Sequence, residues 1–252
     1  MGSYSEMPPP QGLAPAIASF WTATLEKSSQ SLQPILPDGC VDLVFKVSES
    51  NTIQGWVVGA MTQARLPADS GIQTYYGLRF RPGGATCLLR SSIHEFTSGS
   101  FRLNDIVPGL ESEILRRFDC LGLEAFCLQD VAAGVTEYCH GRLVRPDRRL
   151  AYACTRIDQG GGQLPLAEIA REMGMTRQHL GRIFRSQVGL SPKLYARIRR
   201  FQNVIAMAQT LLPRWGWAGV AHQFGYVDQS HLIADFQALS RTTPAKFFSS
   251  LS

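Results

Sequence analysis

Apolar positions in the C-terminal half of the chain recur at steps of three and four. Leu194, Ile198, Phe201, Ile205, Ala208 and Leu212 make one unbroken stripe, which predicts a single helix from Ser191 to Leu212. At roughly 1.5 Å per residue such a helix is about 33 Å long. Before it, Ala167, Ile169 and Ala170 mark a short helix that ends at Gly174, and Thr176 caps a second helix with Leu180, Ile183, Phe184 and Val188 on its inner side. After it the same device returns between Trp217 and Gln237: Ala221 and Gly225 repeat Ala170 and Gly174, and Leu232 and Phe236 repeat Leu180 and Phe184, with a turn one residue longer. Leu150, Cys154 and Ile157 predict one more helix, so the glycine run at 160–162 lies within this half and Pro146 marks its start.

The N-terminal half alternates instead. Val41, Leu43, Phe45 and Val47 fall on one face and Cys40, Asp42 and Lys46 mainly on the other, behind a Pro-Asp-Gly turn. The stretches Ile53–Ala60 and Thr74–Arg81 read as further strands. Together they predict a small barrel or curled sheet. Residues 1–15, rich in Pro, Gly and Ser, read as a flexible arm, and Ala16–Leu25 as a short amphipathic helix. Ala85–Leu89 opens a helix. From Ile106 to His140 the apolar residues Leu110, Ile114, Leu115, Phe118, Leu123, Phe126, Val131, Val135 and Tyr138 predict two or three more, which either pair protomers or close over the sheet.

Charge sharpens the division. Residues 1–140 hold 9 basic and 14 acidic side chains, and residues 141–252 hold 16 basic and 6 acidic, so a net charge of +5 conceals halves of −5 and +10. A polyanion is expected on the second half. Two helices joined by a tight turn, the second with a basic, amide-bearing outer face, form the helix-turn-helix device for entering a DNA major groove. A turn of B-DNA is about 34 Å, so the helix between the two units would set them in successive grooves.

No run of about 18 apolar residues exists, and the start lacks a basic leader or an apolar signal core, so a soluble, cytoplasmic protein without membrane contact is expected. The six cysteines form no CxxC pair and no zinc-finger cluster, so no metal and no cofactor are expected. Cys139-His140 is the single thiol and imidazole pairing that could serve an enzyme, and no catalytic residue is assigned.

Residues 146–248 resemble the DNA-binding domain of the AraC/XylS family of transcription regulators. The stretches AEIAREMGMTRQHLGRIFRSQVGLSPKLY and AHQFGYVDQSHLIADFQALSRTTPAKFF carry the resemblance, including the closing Gly-Leu-Ser-Pro and Thr-Pro-Ala-Lys-Phe-Phe. The stretches LPDGCVDLVF and GLRFRPGG are similar, more loosely, to a sensor-type domain found ahead of some AraC-like domains. The resemblance implies a transcription regulator that binds double-stranded promoter DNA, acts with RNA polymerase, and takes a small-molecule effector and a homodimer partner. The alternative is an enzyme, such as a cysteine-based alkyl-transfer protein, fused to an AraC-like DNA-targeting domain.

Four residues apart on one helix face, Gln178 and Arg182 are expected to read bases, since Gln and Arg make bidentate contacts to adenine and guanine. Arg177, His179, Arg185 and Lys193 are expected at phosphates, although Arg185 could equally serve only as a solvated surface charge. In the second unit Gln229, Ser230 and His231 can hydrogen-bond, but Ile233, Ala234 and Asp235 stand where a cation would help, so the first unit is expected to do most of the reading. In the N-terminal half Arg79 and Arg81, with the Pro82-Gly83-Gly84 backbone, could hold an anion; an ion pair to Asp42 is the favoured reading. Trp56, Tyr75 and Tyr76 could line an apolar pocket, or be plain core. The expected fold class is α+β: a flexible arm at 1–15, a β-rich effector-sensing or dimerisation domain with packed helices at 16–145, and an all-α domain of two helix-turn-helix units joined by a long helix at 146–252.

Overall fold

A computed structural model describes residues 3–25, 34–47, 52–66, 73–122, 125–142 and 145–250. Leu123, one of the apolar positions above, lies outside them. Six antiparallel strands form one sheet in the order β1-β2-β5-β3-β4-β6: β1 Tyr4–Met7, β2 Ile17–Leu25, β3 Asp42–Val47, β4 Ile53–Val58, β5 Gln73–Phe80 and β6 Ser100–Arg102. One face carries Phe20, Leu43, Phe45, Val57, Leu78 and Phe80, all buried. Against that side of the domain pack α1 (Thr86–Leu89), α2 (Leu103–Ile106), α3 (Leu110–Leu121) and α4 (Leu128–Cys139), which bury Leu110, Ile114, Phe118, Val131 and Val135. The helices predicted between Ile106 and His140 are therefore present as α3 and α4, and they cover the sheet.

Two N-terminal expectations are corrected. The segment expected as a free arm contributes the edge strand β1, paired to β2 from Tyr4↔Ala23 to Met7↔Phe20, and its Leu13 is buried. An edge strand needs only backbone partners along one side, so a run rich in polar and small residues can fill it. The segment expected as an amphipathic helix is β2. Its pairing with β5 shifts register between Ile17 and Ser19, and this bulge puts Ile17 and Phe20 on one side at a spacing of three.

The C-terminal half is all helix: α5 Arg148–Gln159, α6 Leu166–Glu172, α7 Arg177–Val188, α8 Pro192–Gln223, α9 Gln229–Ser240 and α10 Pro244–Ser249. Leu150, Ala153, Cys154 and Ile157 of α5 are buried, and α5 packs on α8. The stripe predicted from Ser191 to Leu212 is one helix: Ser191 caps it, and it runs without interruption to Gly216, where φ of 60° and ψ of −178° turn the chain before the second unit starts. Glycine adopts that backbone without the steric cost a Cβ would add. None of the helices in the described residues is long and apolar enough to cross a membrane.

The two halves share one hydrophobic core. The Pro-Asp-Gly turn ahead of β3 lies on α8: Gln202 Nε2 donates to the Pro37 carbonyl at 2.6 Å, and Gly39, at φ 82°, leaves no room for a Cβ against the Tyr195 ring.

Candidate nucleic-acid interface

Helices α6 and α7 meet at Gly174, which has φ of 62°, and Thr176 Oγ1 accepts the His179 backbone N–H at 3.2 Å to start α7. Leu180, Ile183, Phe184 and Val188 turn inward and are buried. That rotation fixes the outer face: Arg177, Gln178, Arg182 and Arg185 are exposed, as is Lys193 on the first turn of α8. His179 is half-buried, and its Nδ1 accepts from the Arg182 guanidinium at 2.8 Å. The imidazole expected at a phosphate is thus held by Arg182, and it orients that guanidinium over the helix face. Gln178, Gly181, Arg182 and Arg185 form one wall of a cleft of about 580 Å³, and Ser92 and His94 of the N-terminal domain stand on the other.

The second unit repeats this frame with one residue more in the turn, Gly225 to Asp228 against Gly174 to Thr176. Asp228 caps α9 as Thr176 caps α7, accepting from His231 N at 2.7 Å; Leu232 and Phe236 are buried as Leu180 and Phe184 are. Gln229, Ser230 and His231 are exposed. His231 Nδ1 accepts from Val227 N at 3.4 Å and its ring meets Tyr226 edge to face. Asp235, read from sequence as a charge that could repel phosphate, is buried. Arg197 Nε donates to it at 2.7 Å and the Tyr226 hydroxyl at 3.2 Å, tying α9 to α8.

Part of the basic excess is also engaged by acidic and carbonyl partners of the domain itself. Arg199 pairs with Asp158, Arg156 with Glu172, and Arg200 donates to the Gly162 and Gly225 carbonyls while lying over the Tyr226 ring. The first unit keeps Arg177, Arg182 and Arg185 of α7, Arg171 of α6 and Lys193 exposed, and Arg148, Arg214 and Lys246 are exposed elsewhere in the domain.

The N-terminal candidates separate. Arg79 is held by Asp42 through two hydrogen bonds of 3.2 Å and by Asp38 at 3.0 Å, with Glu6 at 3.8 Å. Burial pushes the Asp42 carboxyl up, to about 7, against the opposing pull of Arg79. Arg81 donates instead to the Ala14 carbonyl at 2.8 Å. Arg79 and Arg81 therefore have protein partners, and the geometry shows no anion cradle between them. Trp56 and Tyr76 are on opposite faces of the sheet, because Val44 pairs with Trp56 whereas Phe45 pairs with Tyr76. Trp56 lies under the Arg102 guanidinium, and Tyr76 packs on Phe126 and donates to its carbonyl. Tyr75 lies on the same face as Trp56, being paired with Lys46.

Cys139 is buried, and burial pushes its thiol up to about 11. A nucleophilic cysteine needs the opposite shift. Neither Ser92, His94 and Thr97 nor Gln63 and Ala64, which meet the C-terminal helices, carries a local sequence signal, since their partners are remote in the chain.

Residues 169–250 match a family described as a helix-turn-helix domain, and residues 5–102 match one described as a domain of unknown function, DUF6597. No curated protein matches the sequence. Among solved structures the chain is similar to an apo variant of ToxT from Vibrio cholerae, with a TM-score of 0.48 and 12% identity over 92% of this chain and 98% of that one. It is also similar to ToxT from Vibrio cholerae O395 bound to (E)-4-(8-methylnaphthalen-1-yl)but-3-enoic acid, with a TM-score of 0.47 and 11% identity over 92% and 98%. The C-terminal region is a helix-turn-helix domain of the AraC type.

Proposed function

We propose that the chain is a sequence-specific transcription regulator that reads double-stranded promoter DNA mainly through α7. The observation that carries this reading is the contrast between two helices of one design: α7 exposes Arg177, Gln178, Arg182 and Arg185, whereas α9 exposes Gln229, Ser230, Ala234 and Gln237 at the same positions. Gln178 and Arg182 take adenine and guanine edges, with Arg182 aimed by His179. Arg177, Arg185 and Lys193 bind phosphates, and α9 with Gln229, Ser230 and His231 mainly follows the backbone of the next groove while reading a smaller share of its bases.

The β-rich domain controls this reading. Its wall of Ser92 and His94 faces the base-reading stripe, so an effector that changes how the halves meet changes promoter occupancy. A small-molecule effector, a second copy of the chain and RNA polymerase are the further partners such a regulator takes, in the cytoplasm where promoter DNA lies. An alkyl-transfer enzyme finds no support in the buried, poorly ionised Cys139.

The test is selection of duplexes from a random pool by the full chain, followed by titration of Arg182→Ala on the selected and on unrelated sequences. The variant is expected to lose about 1–3 kcal/mol where Arg182 meets guanine and little elsewhere. Equal loss on every duplex would make Arg182 a phosphate contact and overturn its assignment as a base reader.

A further inference from the structure

The β-rich domain meets both reading helices, and it meets them at the same place. At the end of α7, Thr97 Oγ1 donates to the Gly189 carbonyl at 2.6 Å, and His94 Nδ1 donates to the same oxygen at 3.2 Å. At the end of α9, the Ala64 backbone N–H donates to the Leu239 carbonyl at 2.7 Å, and the Arg241 guanidinium donates to Gln63 Oε1 at 3.2 Å. Gly189 and Arg241 are the equivalent residues of the two units, each ending its helix in the left-handed region at φ 87° and 63°. Carbonyls at a helix C-terminus lack partners within the helix and are free to accept from elsewhere. Here donors from one other domain reach the closing segment of both helices.

Three of these contacts act on backbone carbonyls at the ends of α7 and α9, the fourth joins the Arg241 and Gln63 side chains, and none engages Gln178, Arg182, Gln229 or Ser230. The other ties between the units are α8, whose helical path is interrupted at Gly216 before the first helix of the second unit, and the contacts of Arg197 and Phe201 on α8 with Asp235 and Phe236 on α9. A small tilt of α9 on α8 changes the angle between α7 and α9. The β-rich domain holds the ends of both helices and so opposes that tilt.

We infer that Thr97, His94 and the Gln63–Ala64 segment are positioning residues for DNA reading: by holding the ends of α7 and α9 on one rigid sheet domain, they fix the spacing between half-sites that the chain accepts. This rests on the DNA-reading function proposed above. It differs from a merely supporting role in its readout, because a support changes affinity at every spacing alike, whereas a spacer changes which spacing is preferred.

The experiment uses the full chain and the duplex it selects, rebuilt with the two half-sites moved apart or together by one and two base pairs. Half-sites one helical turn apart, about 10–10.5 base pairs, are the expected optimum. The wild-type chain is expected to weaken about tenfold or more at a wrong spacing, on the scale of a mismatched base pair. Thr97→Val combined with Arg241→Gly removes one donor at each end, and glycine accepts the left-handed backbone of residue 241. This double variant is expected to lose no more than about threefold at the same wrong spacings. Thermal unfolding checks that it folds; should its midpoint fall, Gln63→Ala with Arg241→Gly, which alters exposed contacts only at α9, replaces it. A variant that keeps the full spacing penalty, weakens equally at all spacings, or tightens equally at all spacings overturns the inference and leaves the regulator reading standing. A wild-type chain that selects no sequence removes that reading, and this inference with it.

Discussion

Helices α7 and α9 are built on one plan and present two different surfaces. Their framework positions correspond: the buried Leu180 and Leu232, Phe184 and Phe236, the caps Thr176 and Asp228, and the residues Pro192 and Pro244 that begin the following helices. Their outer positions are not, since Arg177, Gln178, Arg182 and Arg185 face Gln229, Ser230, Ala234 and Gln237. The requirements of the fold fall on the inner stripe, and the outer stripe is free to diverge in charge. The duplicated unit therefore keeps its packing while the cations of the outer stripe gather on one copy.

One inner position breaks the equivalence and provides the largest expected effect. Where α7 buries Ile183, α9 buries Asp235, which holds Arg197 and the Tyr226 hydroxyl. Asp235→Ala leaves Arg197 and Tyr226 without their acceptor and is expected to destabilise the chain by about 3 kcal/mol, the low end for a broken buried pair because Arg197 keeps partial access to water. Tyr226→Phe, which removes one neutral donor, is expected to cost about 1 kcal/mol. Denaturant unfolding followed by tryptophan fluorescence measures both, as Trp217 packs beside Phe248 in the second unit. If the two variants unfold at the wild-type midpoint, Asp235 is not what joins α9 to α8.

A smaller effect separates the two equivalent histidines. His179 orients Arg182 and His231 braces the turn before α9. His179→Ala is expected to weaken binding to the selected duplex by about 0.5–1.5 kcal/mol, the worth of one hydrogen bond. His231→Ala is expected to leave sequence preference unchanged. Titration against the selected duplex and a shuffled one distinguishes them, and loss of preference in the His231 variant alone would reverse the assignment of reading to α7.

The C-terminal fold was legible because helical periodicity is local: the steps from Leu194 to Leu212 and the Gly174 and Thr176 punctuation each depend on residues within a turn or two. The N-terminal half was less so, because sheet structure depends on pairing between distant segments. The bulge between Ile17 and Ser19 disguised β2 as a helix, and β1 owes its place to the backbone of β2. Trp56 and Tyr76 looked like two walls of a pocket until the register of β3 against β4 and β5 put them on opposite faces. At the interface, the outward turn of Gln178 and Arg182 followed from the apolar stripe of α7. The inward turn of Asp235 did not, because its partner Arg197 belongs to another helix. Counting charge also exaggerated the basic surface, since Arg197, Arg199 and Arg200 are engaged inside the domain.

The smallest effect concerns how each unit is tied to its neighbours. Glu172, at the end of α6, accepts from Arg156 Nε and Nη2 at 2.9 and 2.8 Å and from the Tyr152 hydroxyl at 2.9 Å, which fastens the first unit to α5. The Arg156 hydrogen bonds, then that of Tyr152, hold its carboxyl down at about 2. A carboxyl held lower in the folded chain than in the unfolded one stabilises the fold fully above its unfolded value of about 4.3. That contribution is lost as pH falls toward 2. In the second unit the equivalent residue is Gln223, whose carbonyl accepts from Gln163 and which cannot titrate. Acidification from pH 5 to pH 2.5 is therefore expected to lower amide-exchange protection in α6 relative to α9, and Glu172→Gln is expected to abolish the difference by making α6 equally unprotected at both pH values. Parallel loss in α6 and α9, in the wild type and in the variant alike, would show that Glu172 does not set the acid response of the first unit.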